Sequence, residues 1–354
     1  MTGIVKLGLR IGLFGLCASA GFACAQTSAL AECHAMADAA ARLACYDRAT
    51  GRGAPASAPV ESRAVVPPAS APPVPSAIAN QVAVEKKPPA SMIDAAWDFN
   101  ADSTPYDIRF YHANYFLFGR YTNDVNVAPY APLFAAAGEP LHLDSTEAKF
   151  QLSFKGRLWT TDDRRWGVWA AYTQQNQWQV YNDQISRPFR ETNYMPELFV
   201  SYRPGVELPL DFKWNLVNVG FNHQSNGRTD SLSRSWNRVL ATFGVERENL
   251  ALFANVWWRI PESASDDDNP GITDYYGYGS VGGIYRWREN SVTAWLRGNT
   301  RTGKGAFELN WTTPPLLGPL RGYVQLFTGY GESMIDYNWK QTTIGAGLAL
   351  SDGL

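Results

Sequence analysis

Apolar and polar residues alternate along most of the chain from Met92 to Leu354. In the clearest run, 150–158, the even positions are apolar, with glycine at 156, and the odd positions are polar or charged. A period of two places alternate side chains on opposite faces of a β-strand. Comparable runs occur at 107–121, 165–178, 196–204, 213–223, 237–246, 250–259, 276–286, 291–300, 304–312, 320–331 and 341–351.

These twelve runs are an even number, as closure of a single-chain barrel requires. Strands of about 10 residues match a tilted crossing of a bilayer. Past residue 25, no apolar stretch approaches the roughly 18 residues that a membrane helix needs. The pattern therefore predicts an all-β fold, a twelve-stranded antiparallel transmembrane β-barrel over residues 92–354.

Alternation alone also suits a soluble sandwich, in which the apolar face points into the core. In a membrane barrel the apolar face contacts lipid and the polar face lines the lumen. A non-enzymatic channel or structural barrel is one alternative function. Four charged residues at inward positions predict a lumen filled by a charge network: Lys155, Arg157, Glu197 and Glu308.

Three segments precede the predicted barrel. Residues 1–25 have the pattern of a signal peptide: Lys6 and Arg10 are followed by an apolar run, and Ala23–Ala25 offers a small-x-small cleavage site. Residues 26–50 form a small helical segment with Cys33 and Cys45. Residues 51–91 are rich in proline and alanine, which predicts a disordered, solvated linker.

Cys33 and Cys45 are the cysteines that remain after signal removal. An oxidising compartment makes a disulfide plausible. In one straight helix their Cα atoms would lie about 18 Å apart, so a bridge requires a helical hairpin. Metal binding by Cys33, His34 and Cys45 is the alternative.

Composition adds a weaker signal. The 31 basic and 33 acidic residues give no indication of nucleic-acid binding. The 13 Trp, 17 Tyr and 17 Phe suit the aromatic girdles of a membrane barrel, although a soluble all-β protein can also carry them.

Polar residues interrupt the predicted lipid-facing side of two adjacent strands. The ascending strand has an apolar face formed by Val217, Val219 and Phe221. Two further steps of the same parity reach His223 and Ser225. The descending strand has an apolar face formed by Val239, Ala241, Phe243 and Val245, and one step back is Asn237. Polar groups facing lipid are costly unless they pair and function.

The three residue types fit nucleophilic catalysis. A serine needs a nearby base to take its proton, and histidine is the usual base at neutral pH. The amide oxygen of Asn237 can accept from the imidazole N–H and orient the ring. A histidine and a serine at a strand end are more often plain interfacial polar residues, so the pattern by itself leaves that interpretation open.

Several motifs resemble the bacterial outer membrane phospholipase A family. The longest is Asn222–Arg238, NHQSNGRTDSLSRSWNR. The others are 172–175 (YTQQ), 186–194 with Pro196, 267–270 (DDNP) and 330–338 (YGESMIDYN). The matches run in order through residues 105–354 and include neither the cysteine segment nor the linker.

The resemblance implies a twelve-stranded barrel that hydrolyses acyl esters of glycerophospholipids, as phospholipase A1, phospholipase A2 and lysophospholipase. Ser225 matches the family's nucleophile, His223 its base and Asn237 the residue that orients the base. The family uses calcium, about one ion per active site, to stabilise the oxyanion. A dimer is required for its activity.

The resemblance also implies the calcium ligands and a dimer contact. The ligands are the Ser233 side chain, the Arg228 backbone carbonyl and Ser186 from the partner subunit. Arg187 departs from close relatives, which can carry a second small polar residue there. Gln174 matches a dimer contact. The acidic run 266–269 suggests a second calcium site, but a solvated loop is the favoured interpretation, and 330–338 is expected to pack near the outer rim.

With both termini in the periplasm, odd strands ascend. All proposed site residues then lie at the extracellular rim, where an outer-leaflet phospholipid presents its ester, and the N-terminal extension lies in the periplasm. A different lipid-modifying barrel, such as a lipid A deacylase, is a further alternative because the same triad could serve it.

Overall fold

The structure, a computed structural model, describes residues 33–49, 91–138, 142–185 and 187–354. The chain divides into two units, Met1–Val82 and Ala83–Leu354. The predicted signal peptide and nearly all of the predicted linker lie outside the described residues.

The second unit is a closed barrel of twelve antiparallel strands, as the alternation predicts. The strands are β1 (Tyr115–Thr122), β2 (Thr146–Thr160), β3 (Trp166–Trp178), β4 (Phe189–Tyr202), β5 (Lys213–Ser225), β6 (Ser235–Arg247), β7 (Leu250–Arg259), β8 (Gly279–Trp287), β9 (Asn290–Asn299), β10 (Lys304–Leu317), β11 (Leu320–Tyr330) and β12 (Lys340–Ala349). Consecutive strands pair, and β12 pairs with β1 to close the ring.

The predicted first strand, 107–121, is divided in two. A short strand, Ile108–Phe110, pairs with residues 154–156 in the second half of β2, and β1 begins only at Tyr115. Another short strand, Val206–Glu207, extends the edge of β5.

The two faces of the barrel wall have the polarity of a membrane protein. On β2, the side chains of Leu152 and Phe154 are 51% and 47% exposed, whereas the residue after each of them, Ser153 and Lys155, is buried. A soluble sandwich would show the reverse. The apolar face is therefore the outer, lipid-facing side.

A helix closes the lumen at the end that holds the chain terminus, here called the terminal end. This helix, α2 (Met92–Trp97), buries Ile93 and Trp97 inside the barrel. Its first turn is fixed by the Glu246 carboxylate, which accepts from the Ile93 backbone N–H at 3.0 Å. Lys155 Nζ lies 3.5 Å from the centroid of a Trp97 ring.

The opposite end, here called the site end, is filled by the segment 331–339 between β11 and β12. Met334, Ile335 and Asp336 in it are fully buried. The prediction that this segment packs near the rim is confirmed, and it descends into the lumen as well. A tyrosine of helix α4 (Ile272–Tyr276) donates to the Gly331 carbonyl at 3.1 Å.

A buried charge network joins this segment to the barrel wall. It comprises Arg120, Glu147, Lys149, Arg190, Glu332 and Asp336. Arg120 bridges Glu147, at 2.9 Å, and Glu332. The prediction of inward charges is confirmed, but this central network uses none of the four residues singled out from the sequence.

Those four residues have other partners. Lys155 packs on Trp97 and Arg157 donates to the Asp98 carbonyl at 2.7 Å. Glu308 accepts from Asn310 at 2.8 Å, and Glu197 interacts with Tyr111. Side chains from the wall, α2 and 331–339 thus occupy the lumen, an arrangement that does not favour an open channel.

The first unit is described only over residues 33–49. Cys33 and His34 are helical, the chain turns over 35–38, and helix α1 (Ala39–Ala49) follows. This reversal brings the Cα atoms of Cys33 and Cys45 to 5.5 Å, and the two form a disulfide. The bonded pair has no thiolate for a metal, so the metal interpretation is wrong.

The remaining described helix, α3 (Ala131–Ala137), follows a 3-10 turn at Ala128–Tyr130. No helix among residues 33–49, 91–138, 142–185 and 187–354 is both long and apolar enough to span a membrane.

Candidate active site

His223 and Ser225 lie at the site end of β5, on its outer face. Residues of the same parity, Val219 and Phe221, are 50% and 43% exposed to the outside. Their inward neighbours are buried, including Asn222. His223 and Ser225 are themselves half-buried. His223 and Ser225 therefore share the outer face of the wall with Val219 and Phe221, as the alternation predicts.

Asn237 lies directly opposite His223 on β6. The register pairs these two residues, two positions along the strands from the pair Phe221 and Val239. Asn237 shares its face with Val239, which is 41% exposed. The imidazole Nδ1 lies 2.9 Å from the Asn237 amide oxygen, a hydrogen bond across the lipid-facing side of the wall.

This hydrogen bond determines what the imidazole can do. An amide oxygen only accepts, so Nδ1 is the donor and carries the proton in the neutral ring. The other nitrogen, Nε2, keeps a lone pair and can act as a base. Among the described residues no hydrogen bond yet joins Ser225 Oγ to His223. A serine hydroxyl turns freely about its Cα–Cβ bond, and such contacts often tighten only with substrate.

The loop 226–234, between β5 and β6, folds around the buried side chain of Asn226. The Asn226 amide donates to the Leu232 carbonyl at 2.8 Å, and its oxygen accepts from the Arg234 backbone N–H at 2.9 Å. Gly227 follows with φ +62°, and a Cβ there would lie 2.9 Å from the Tyr194 ring. A tight reversal results, which directly follows Ser225 and contains Arg228 and Ser233.

Arg228 and Ser233, the predicted calcium ligands of this chain, both lie in the loop 226–234. Ser233 Oγ donates to the Asp268 carboxylate at 2.5 Å. Hydroxyl, carbonyl and carboxylate oxygens are the donors that calcium prefers, so the residues present fit this ion. Within the described part of the chain, no three His, Cys, Asp or Glu side chains converge to form a metal site of their own.

Ser186, the predicted ligand from a partner subunit, lies outside the described residues. Its role stays a prediction. The neighbouring Arg187 has φ +49° and accepts at its carbonyl from Trp178 Nε1 at 3.0 Å.

The acidic run 266–269 does not form a freely solvated loop. Asp266 accepts from Ser263 at 2.7 Å. Asp267 pairs with Arg259 at 2.6 Å. The Asn269 amide oxygen accepts from the Ser235 backbone N–H at 2.9 Å. The run therefore docks onto the start of β6, through contacts that its sequence spacing does not reveal.

Glu262 is a site residue that the sequence reasoning did not identify. Its carboxylate accepts from the Asn237 amide nitrogen at 3.2 Å. A single glutamate in a polar loop gives no signal in the sequence, because its relation to Asn237 depends on the path of the loop after β7.

Gln174 lies apart from these residues, on the outer face of β3. It accepts from the Tyr172 hydroxyl at 2.9 Å and donates to the Asn176 amide oxygen at 3.0 Å. These polar residues form a ladder on the lipid-facing side. The role of Gln174 as a dimer contact stays a prediction.

Comparison with known proteins identifies close similarities. Residues 94–350 match the family model described as Phospholipase A1. A putative phospholipase A1 of Neisseria meningitidis serogroup B is 37% identical over 350 residues, covering 91% of this chain and 90% of that protein. This match covers more of the chain than residues 92–354 contain, so it reaches into the N-terminal extension.

Two solved structures show the same fold. Outer membrane phospholipase A from Escherichia coli has a TM-score of 0.66 at 33% identity and covers 75% of this chain and 100% of its own. The Salmonella typhi outer membrane phospholipase dimer with bound calcium gives the same TM-score, identity and coverage.

Proposed function

The chain belongs to the phospholipase A1 family, and from this premise we propose that Ser225, His223 and Asn237 are its catalytic triad. As a member of this family it is an ester-hydrolysing enzyme and an outer-membrane protein. The observation that carries the proposal is the 2.9 Å hydrogen bond between His223 and Asn237, on the lipid-facing side and two residues from Ser225.

The proposed reaction proceeds through an acyl-enzyme. His223 Nε2 takes the proton of Ser225 Oγ as that oxygen attacks the acyl carbon of a glycerophospholipid. The tetrahedral intermediate expels the glycerol oxygen, which receives the proton from the imidazolium. Water then attacks the acyl-serine with His223 again as base. This second tetrahedral intermediate expels Ser225 Oγ, which regains its proton from the imidazolium as the fatty acid is released. Asn237 holds the ring through its amide oxygen in each step.

Calcium dependence is the second part of the proposal. Ser233 and the Arg228 carbonyl would hold the ion, with Asp268 beside Ser233. When bound, calcium supplies positive charge for the oxyanion of the tetrahedral intermediate. The solved Salmonella typhi relative, a dimer with bound calcium, supports this part.

The same relative supports a dimer as the active form of this chain. In the proposed dimer Gln174 lies at the interface, and Ser186 completes the calcium site of the partner subunit. Since an isolated barrel lacks the partner's ligand, activity would depend on association.

The proposed location of the site is the outer leaflet, with the N-terminal extension in the periplasm. All three triad residues lie at one end of the barrel, and both the segment before β1 and the chain terminus lie toward the other. This arrangement supports a site at the extracellular rim.

Substitution of Ser225 by alanine tests the proposed triad. We expect Ser225→Ala to abolish ester cleavage while leaving the heat-modifiable gel mobility of the folded barrel unchanged. Mass spectrometry of products from defined phospholipids, with and without a calcium chelator, distinguishes a phospholipase from a lipid A deacylase or an inert barrel. Undiminished hydrolysis by the folded variant would remove Ser225 from the mechanism.

A further inference from the structure

The Asn237 carboxamide is held at both of its ends. Its oxygen faces His223 Nδ1 at 2.9 Å, and its nitrogen faces the Glu262 Oε1 atom at 3.2 Å. The two ends of a carboxamide have similar shape but opposite hydrogen-bonding character, so their assignment must come from their partners.

Glu262 supplies the partner that distinguishes the two ends. An ionised carboxylate accepts hydrogen bonds and donates none, so it stabilises only the orientation with the amide nitrogen toward it. The amide oxygen must then face His223. The imidazole nitrogen opposite that oxygen must be the protonated one, which leaves Nε2 as the base.

The position of Glu262 is itself fixed. The Ile260 backbone N–H donates to the Asn237 carbonyl at 2.9 Å, which continues the pairing of β6 with β7 beyond Arg259. Arg259 Nη2 lies 3.1 Å from Glu262 Oε2 and 2.6 Å from Asp267. The side chains of Arg259 and Glu262 are only 13% and 16% exposed, so water competes weakly for these contacts.

We propose that Glu262 is a positioning residue, which orients the Asn237 carboxamide and thereby selects the His223 tautomer that can deprotonate Ser225. The proposal rests on the triad proposed above. Without Glu262 the carboxamide is free to turn about its Cβ–Cγ bond. In the molecules whose amide nitrogen then faces His223, the imidazole proton lies on Nε2 and Ser225 has no base.

Glu262→Ala is the first test. We expect kcat to fall roughly tenfold with KM unchanged, the size that loss of one charge-assisted hydrogen bond gives. The rate at which an alkyl sulfonyl fluoride modifies Ser225 should fall in parallel, because that reaction needs the same base. Glu262→Gln should lose less, since its own amide oxygen can still accept from Asn237.

Asp274→Ala is the matched control. Asp274 is also paired with an arginine at the site end, Arg301, and has no contact with Asn237. This variant should keep the kcat of the unmodified enzyme. A fall in kcat equal to that of Glu262→Ala would show a general effect of removing charge from this end of the barrel and would overturn the proposal.

A double-mutant cycle separates positioning from a structural role. In an Asn237→Ala background the carboxamide is gone, so Glu262→Ala should cause no further loss of kcat. A further tenfold loss in that background would overturn the proposal, as would full kcat in a folded Glu262→Ala single variant. The Ser225→Ala variant tests the proposed triad independently of Glu262. If the folded Ser225→Ala enzyme is fully active, the triad is refuted, whatever the Glu262 variants show.

Discussion

Asn237 occupies a position where an aspartate would stabilise an imidazolium more strongly. Glu262 provides a physical reason for the neutral amide, because an aspartate would place two carboxylates about as close as the 3.2 Å contact seen here. We expect Asn237→Asp to lower kcat, and we expect Glu262→Gln to restore part of that loss in the double variant. Steady-state hydrolysis of a phospholipid analogue at neutral pH measures both effects.

The direction in which Glu262→Gln changes kcat tests whether the two carboxylates repel each other. Glu262→Gln lowers activity in the natural background and raises it in the Asn237→Asp background. Equal changes in the two backgrounds would mean that the carboxylates do not sense each other.

The sequence could predict those features of the site that depend only on which face of a strand a residue occupies. His223, Ser225 and Asn237 lie on the lipid-facing side because residues two apart on a strand share a face, whatever the rest of the chain does. Glu262 could not be predicted, since it reaches Asn237 through a loop whose course depends on Arg259 and Asp267.

Among the elements, the loop 226–234 depends most on one side chain. Asn226 is buried and bonds to Leu232 and Arg234 across the loop. Asn226→Ala leaves those backbone groups without partners, at a cost of about 1–3 kcal/mol each where they stay buried. We expect the loop to loosen and the calcium concentration for half-maximal activity to rise roughly tenfold. A calcium titration of hydrolysis measures the shift.

Asn249→Ala is the control for this prediction. Asn249 lies in the β6–β7 turn at the terminal end, and its replacement should leave the calcium titration unchanged. If Asn226→Ala has the calcium requirement of the unmodified enzyme, the loop does not hold the ion.

The number of strands was predictable from the sequence, but the start of the first strand was not. The sequence predicts one strand over 107–121, yet side-chain bonds replace much of the ladder at 111–114. Asn114 accepts from the Ser153 backbone N–H at 2.8 Å and donates to the Ser153 carbonyl at 2.9 Å. Such local substitution for backbone pairing is not visible in a hydrophobic pattern.

Across the whole molecule, the lumen network connects the site-end segment to the wall. Glu332, in the segment between β11 and β12, forms ion pairs with Arg120 and, at 2.9 Å, with Lys149. Burial alone would raise the pKa of Glu332, but Arg120 and Lys149 outweigh it and lower the pKa to about 2. The carboxylate therefore stabilises the fold above its ordinary pKa of 4.5, and this contribution is lost as the pH falls toward 2.

Glu332→Gln should therefore destabilise the barrel at pH 7. Removing one partner of a buried ion pair costs about 3–5 kcal/mol. The difference in unfolding free energy between this variant and the unmodified protein should shrink as the pH falls from 4.5 toward 2. Denaturant unfolding in detergent, monitored by tryptophan fluorescence at several pH values, measures this difference.

Glu289→Gln, in the exposed β8–β9 turn, should show no such difference at any pH. A gap between Glu332→Gln and the unmodified protein that is constant down to pH 2 would mean that the ionised carboxylate is not what stabilises the segment.

Inward charges were predictable at this scale, but their pairing was not. Lys155 and Arg157 alternate with lipid-facing residues, so the strand itself sets their direction. The network instead pairs Arg120 with Glu332 across more than half of the barrel sequence. Only the closed fold brings such residues together.

The Cys33–Cys45 disulfide distinguishes the chain before export from the chain after it. In the reducing cytoplasm, where translation takes place, both thiols stay apart and nothing crosslinks the segment. That is the form a narrow secretion pore can thread. Once the chain has left the cell interior, oxidation closes the ring of residues 33–45 and makes the hairpin difficult to unravel. The disulfide therefore forms, and stabilises the hairpin, only after export.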